Sequence, residues 1–201
     1  MEQTLLNGTL HYLGCDGRHA DTATLSLARQ AIGTMTALAD FRCCEISLSD
    51  LGHTPDFVLK PAYATIAGFV AEASLFAATL GIRVDRKIKS LGTVDMSAAV
   101  AANAAANAIL DARVEAALTD GQVLFCPGYS GTDMSDVRHV LQLLDAQRRL
   151  GIFTSDSGMM IPEKSVAGLL LKGYRFSCRG CLIASKCEHL RRGLTCYGRQ
   201  D

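Results

Sequence analysis

The densest chemistry in the chain lies near its C-terminus, where Cys178, Cys181, Cys187 and Cys196 follow one another as Cys-x2-Cys-x5-Cys-x8-Cys. Four thiols so close together, in a chain with no pattern of a secretory signal, point to a metal before a disulfide. Thiolate is a soft ligand, so zinc and an iron-sulfur cluster are the two candidates. The unequal gaps do not fit the paired knuckles of a zinc ribbon. The other cysteines, Cys15, Cys43, Cys44 and Cys126, sit in or beside apolar runs and read as buried small hydrophobes. Neighbours such as Cys43 and Cys44 point to opposite sides of a strand, which argues against a disulfide between them.

A second concentration runs through residues 123–171. Val123-Leu124-Phe125-Cys126 is an apolar run too short for a helix and stopped by Pro127-Gly128, so it reads as a buried strand entering a turn. The turn holds Gly128 and Gly131, which let backbone approach a ligand, and Tyr129, which offers a flat face and a hydroxyl. A helix is expected from about Ser135, capped by its hydroxyl. Val137, Val140, Leu141 and Leu144 share one face, and Gly151 follows the basic pair Arg148-Arg149. Residues 152–154 read as a strand, 155–158 as a turn, 159–162 as an extended step with Met159 and Met160 in the core, and 166–171 as a buried strand.

A third feature is an alanine-rich segment, residues 96–118, which helix propensity alone makes a helix, with Asp95 as its cap. Asn103, Asn107, Asp111 and Glu115 recur every four residues and extend the series from Asp95. Such a stripe is either the solvated edge of a buried helix or the wall of a groove, whose amides and carboxylates accept hydrogen bonds from hydroxyl and ammonium groups.

The elements that must position these groups come earlier. Residues 4–17 form a short helix or strand, and Asp21 or Thr22 caps a helix carrying Leu25, Ala28, Ile32, Met35 and Leu38. Residues 41–48 alternate as a strand with Cys44, Ile46 and Leu48 on one side, and His53 lies in the solvated loop that follows. Residues 64–73 read as a helix and 84–90 as a short basic helix. Alanine leaves 75–80 open between strand and helix. His139 is expected on the helix surface, and Ser165 lacks the glycine elbow and histidine of an acyl-transfer site. At 201 residues and 49% hydrophobic composition the chain can bury one large core. Its 20 basic and 20 acidic residues give no net field for nucleic acid or an anionic membrane surface. With no long apolar span or signal sequence, a cytoplasmic protein is expected.

Pro127-Gly128-Tyr129, the run from Leu143 through Asp145 and Arg149 to Gly151, Thr154 to Ser157, and Met159-Met160-Ile161-Pro162-Glu163-Lys164-Ser165 together resemble the activation domain of cobalamin-dependent methionine synthase. The likeness is strongest to the short free-standing forms with a C-terminal cysteine cluster. The resemblance implies an α+β fold, a mixed or antiparallel twisted sheet with helices packed on one side, and makes 75–80 a strand. Residues 1–173 would be the activation-domain-like unit and 174–201 a cysteine-rich metal-binding tail. It implies a groove for S-adenosylmethionine lined by Cys126, Gly128, Tyr129 and Asp156, the last where the family tends to have glutamate. An acidic ligand residue on the alanine-rich helix is expected too, Glu115 first and Asp111 second. The family arginine that grips the donor's carboxylate, four residues before the turn glycine, is here Leu124, which can make no such bond; Arg138 or Lys164 are the cations considered in its place.

The family likeness of the tail favours a 4Fe-4S cluster on Cys178, Cys181, Cys187 and Cys196, with zinc as the alternative and His189 as a substitute ligand. The implied function is reductive reactivation of a corrinoid carried by a partner protein, with an electron donor protein as a second partner. This chain has no Asp-x-His-x-x-Gly motif with which to hold a corrinoid itself. The alternative is a non-catalytic subunit that uses the tail as an electron relay or a zinc-stapled docking module.

Overall fold

A computed structural model describes residues 2–15, 19–175 and 185. In chain order its regular elements are α1 (Glu2–Tyr12), α2 (Thr22–Leu38), β1 (Arg42–Ser47), β2 (Ser74–Thr79), α3 (Ile82–Gly92), α4 (Met96–Ala117), β3 (Gln122–Phe125), α5 (Val137–Leu143), α6 (Ala146–Leu150), β4 (Phe153–Thr154), β5 (Met160–Ile161) and β6 (Ser165–Lys172). The main sheet runs β1-β2-β6-β3 and every neighbouring pair is antiparallel, while β4 and β5 form a separate two-stranded ribbon. The expected α+β class therefore stands, with the sheet wholly antiparallel.

Helices cover both faces of the sheet, not one. Phe76, Ala78 and Leu170 pack against α1 to α4, whereas Leu75, Ala77, Phe125, Leu169 and Leu171 face α5, α6 and a 3₁₀ run, Pro61–Glu72. A strand covered on both sides has no solvent face, which is why β2 is buried at all six positions and why its pattern was hard to tell from a helix. Of residues 64–73, expected as an α-helix, 64–72 lie in that 3₁₀ run, which enters through Pro61, and Ala73 is its extended cap.

Caps behave as their residue types require. Asp21 accepts the Thr24 N–H at 2.7 Å and Asp95 the Ala98 N–H at 3.0 Å, each supplying an acceptor that the first helical turn lacks. Backbone and side-chain hydrogen bonds with Thr24 hold the Asp21 carboxyl below its ordinary range. Alanine dominates α4 because α1, α2 and α3 all press on it. A Cβ at Gly8 of α1 would already stand 3.1 Å from the Ala108 Cβ.

The helix expected from Ser135 to Arg149 is broken. Asp133, rather than Ser135, supplies the cap, accepting the Ser135 N–H at 2.8 Å. A 3₁₀ turn, Met134–Asp136, then leads into α5. Asp145 sits in the left-handed region at φ 50°, separating α5 from α6, and Gly151 at φ 72° ends α6. Leu144, Ala146 and Leu150 stay buried across the break, so the apolar pattern is uninterrupted where the helix is not.

Strand β3 reaches the site through a very close contact. A Cβ on Gly168 of β6 would stand 2.3 Å from the Phe125 carbonyl oxygen and 3.0 Å from the Cys126 Cα, so the chain entering the turn lies directly on the glycine backbone. Gly168→Ala is expected to destabilise the fold by about 1–3 kcal/mol, the usual cost of forcing extra volume into packed structure. A urea unfolding curve with an unshifted midpoint would show that this approach is not tight in solution.

Candidate functional site

Residues 127–133 leave β3 as a turn with three left-handed backbones, Gly128 at φ 99°, Ser130 at φ 52° and Gly131 at φ 80°. Ser130 pays a steric penalty there that glycine avoids. Thr132 holds the turn from inside. Its hydroxyl oxygen accepts the Gly128 N–H at 2.9 Å, the same hydroxyl donates to the Tyr129 carbonyl at 2.7 Å, and the Thr132 N–H donates to that carbonyl at 3.0 Å. Thr132 is buried, whereas the Tyr129 side chain stands 46% exposed at the turn's tip. Side-chain volume at position 128 is further limited by Met134, whose sulfur lies 3.2 Å from where a Cβ would be.

Next to the turn is a buried carboxylate, Asp136, that no motif in the sequence marks. Asp136 is fully buried, and its Oδ1 takes a hydrogen bond from the Lys60 ammonium at 2.6 Å and lies 3.4 Å from Nδ1 of His139. Its Oδ2 accepts the Tyr63 hydroxyl at 3.2 Å. The Tyr63 ring, also fully buried, packs between Phe57, at 5.6 Å between ring centres, and Phe125, at 6.1 Å. Desolvation, then the Asp136 charge, pushes the Tyr63 hydroxyl pKa far above its ordinary value, while the Thr132 side chain interacts with the same phenol and opposes the rise. Position 136 lies on the same helical face as Val137, Val140 and Leu144, so a carboxylate on an apolar face was the available sign. His139 is exposed, as expected, and its ring stacks on Phe57 with centres 6.0 Å apart.

A second turn, residues 155–158, is tied to the first through α5. The Arg138 guanidinium donates to the carbonyls of Ser155 and Asp156, both at 3.0 Å. Asp156 is exposed at the tip of this turn. Met159, expected in the core, is 59% exposed, while Met160 packs on the core cluster.

The acidic candidates on α4 occupy the other face of the sheet, the face to which Leu124 also turns. Asp111 accepts a hydrogen bond from the Tyr12 hydroxyl of α1. Desolvation raises its carboxyl above the usual range, and the Tyr12 bond and His11 oppose the rise. Glu115, one turn on, is exposed. Asn107 accepts the Lys164 ammonium at 2.8 Å. Lys164 is buried, and its pKa is lowered by desolvation against the pull of Asp85 and Glu163. The stripe thus has several partners rather than one, and both cations considered as substitutes for the missing arginine are engaged, Arg138 with two carbonyls and Lys164 with Asn107.

Cys126 enters the turn with its thiol pushed up to about 12 by desolvation, although part of the residue reaches solvent. Cys44 is buried and its thiol is raised by desolvation as well, whereas Cys43 is exposed and Cys15 partly so, which corrects the expectation that all four are buried. Cys178, Cys181, Cys187, His189 and Cys196 lie outside the described residues. Among the described residues, no group of three or more His, Cys, Asp and Glu side chains is placed to hold a metal, and no helix is long and apolar enough to cross a membrane.

Comparison of the sequence with protein-family models and with curated proteins gave no match. Comparison of the fold with solved structures gave the MetH reactivation domain bound to AdoHcy, with a TM-score of 0.62 over 96% of this chain and 83% of that one, at 14% identity. The chain has the fold of a reactivation domain. The antiparallel sheet with helices around it is therefore that domain's architecture, and β3, its following turn and α5 are the parts of the architecture on which the residues named above are arranged.

Only a thiolate attacks an alkylating reagent at a useful rate, and burial pushes the Cys126 thiol up, which disfavours its thiolate at neutral and mildly alkaline pH. Iodoacetamide at pH 8 followed by peptide mapping is expected to label Cys43 readily and to leave Cys126 and Cys44 largely unmodified. Equal labelling of Cys43 and Cys126 would mean that the turn opens far more than its hydrogen bonds imply.

Proposed function

We propose that this protein reactivates a corrinoid carried by a partner protein, binding S-adenosylmethionine as methyl donor along the 127–133 turn. The observation that carries the reading is the reactivation-domain fold over 96% of the chain, combined with the turn sequence Pro127-Gly128-Tyr129 at the end of edge strand β3. The substrate, cob(II)alamin on the partner, gains one electron and then takes a methyl group from the donor's sulfonium, which leaves as S-adenosylhomocysteine. This chain's part is orientation: Gly128 admits close approach, the exposed Tyr129 face packs against the donor, and Cys126 lines the strand side. Asp156 is read as bordering the groove from the second turn, and the acceptor on α4 for ribose hydroxyls or the ammonium group is read as the exposed Glu115 first, with Asp111, which already accepts the Tyr12 hydroxyl, second.

Residues 174–201 are read as the metal-binding tail, with Cys178, Cys181, Cys187 and Cys196 as thiolate ligands of a 4Fe-4S cluster, or of zinc. An iron-sulfur cluster supplies one-electron transfer at low potential, which fits a substrate that must be reduced. Tyr174, the first residue assigned to the tail, packs edge-on against Phe125, 5.9 Å between ring centres, and against Phe69 at 5.3 Å. An electron donor protein and the corrinoid protein are the expected partners, in a cytoplasmic setting.

Leu124 favours a second reading. It is packed among apolar residues on the α4 face, where the family resemblance expects a guanidinium, and this suits a subunit that kept the fold and uses the tail for electron relay or docking. Affinity for the donor separates the two. On the first reading, isothermal titration gives measurable S-adenosylmethionine binding, and Tyr129→Ala weakens it about tenfold, the scale of one lost aromatic contact, without a large fall in stability. No binding by the native protein would leave only the second reading.

Anaerobic purification is expected to give brown protein with matching iron and sulfide, lost in a Cys178→Ala, Cys181→Ala double variant. Colourless protein with stoichiometric zinc would assign the tail a structural role.

A further inference from the structure

The turn that carries Tyr129 is unusual in needing three left-handed backbones, one of them on serine. Such a shape persists only where its surroundings over-determine it. Thr132 supplies three hydrogen bonds from within, but the turn is also gripped from outside at both ends by one residue of a distant segment. The Tyr63 ring lies against Phe125, two residues before the turn, and its hydroxyl donates to Asp136, three residues beyond it. Asp136 in turn donates its backbone N–H to the Asp133 carbonyl at 3.1 Å, closing the turn's far end. A carboxylate with no exposed surface needs a compensating charge, and Lys60, three residues from Tyr63 in the same loop, provides it at 2.6 Å.

We infer that Tyr63, aimed by the buried Asp136–Lys60 pair, is a positioning residue that fixes the shape of the 127–133 turn and with it the presentation of Tyr129 to the methyl donor. The inference rests on the donor-binding reading for its second half only. The first half concerns the turn itself. Tyr63 reaches no ligand, since it is fully buried; it acts through Phe125, Asp136 and the Thr132 side chain.

Tyr63→Phe keeps the ring and removes only the hydroxyl, so it is the informative variant; Asp136→Asn is the second and harsher one. Backbone amide exchange followed by mass spectrometry or NMR reads the turn directly. The amides of Gly128 and Thr132 are expected to exchange about tenfold faster in Tyr63→Phe, the scale of one lost hydrogen bond to a charged group, while those of α2 and α4 keep their native rates. S-adenosylhomocysteine titration of the same variant is expected to show about tenfold weaker binding. Unchanged exchange at Gly128 and Thr132 overturns the inference. Exchange that quickens equally in α2, α4 and the turn also overturns it, because Tyr63 would then be a general core residue. Faster turn exchange with unchanged ligand affinity overturns the step to Tyr129. Native protein that binds no S-adenosylhomocysteine defeats the donor-binding reading and the step to Tyr129 with it, and the exchange rates still decide whether Tyr63 fixes the turn.

Discussion

The backbone of Phe125 and Cys126 lies on β6 so closely that residue 168 has no room for a side chain. Much of the arrangement around the site follows from that contact. It brings β3 down onto the sheet edge at the point where pairing with β6 ends, at Phe125 opposite Leu169, and the turn that follows then meets the 3₁₀ run Pro61–Glu72. Strand alternation then sorts the neighbours: Leu124 turns to the four-helix side, Phe125 to the side of Tyr63 and Tyr174.

Parts of this were legible in the sequence for identifiable reasons. Asp21 and Asp95 are short acceptors placed just before apolar-periodic runs, and a cap is a local interaction that needs no tertiary context. Cys44, Ile46 and Leu48 were placed on one side from alternation alone, and they share one core. The break at Asp145 was not legible. Leu144, Ala146 and Leu150 keep the apolar pattern across it, and an aspartate that ends one helix by adopting φ 50° looks no different in sequence from one on a helix surface. The helices on both faces escaped for a related reason, since a strand buried on two sides loses the alternation that would announce either.

The polar residues of α4 teach a different lesson. Spacing of four suggests a single stripe, but each step of four turns the helix about 40° beyond a full circle, so five steps wind roughly half way round it. Asp95 therefore caps, Asn107 meets Lys164 at the end of the sheet, Asp111 meets Tyr12 from α1, and Glu115 remains exposed. Sequence spacing selected the right kind of residue without selecting a common partner. The Asp136 cluster escaped for the converse reason: Lys60, Tyr63 and Asp136 are more than seventy residues apart at the extremes, and only the fold assembles them.

Leu124 sharpens what the site must do if the proposed function holds. An arginine clamp would fix the donor's carboxylate end by two charge-assisted bonds, and neither Arg138 nor Lys164 is free to replace it without giving up a hydrogen bond it already makes. Orientation must then come from the other end of the molecule, where stacking and backbone contacts act over short range and tolerate little movement. A clamp made of charge works on a loose loop; a clamp made of shape needs a stiff one. The three left-handed backbones, the Thr132 hydrogen bonds inside the turn and the Tyr63–Asp136–Lys60 brace outside it provide that stiffness, so a leucine at 124 and a braced turn belong to one physical account.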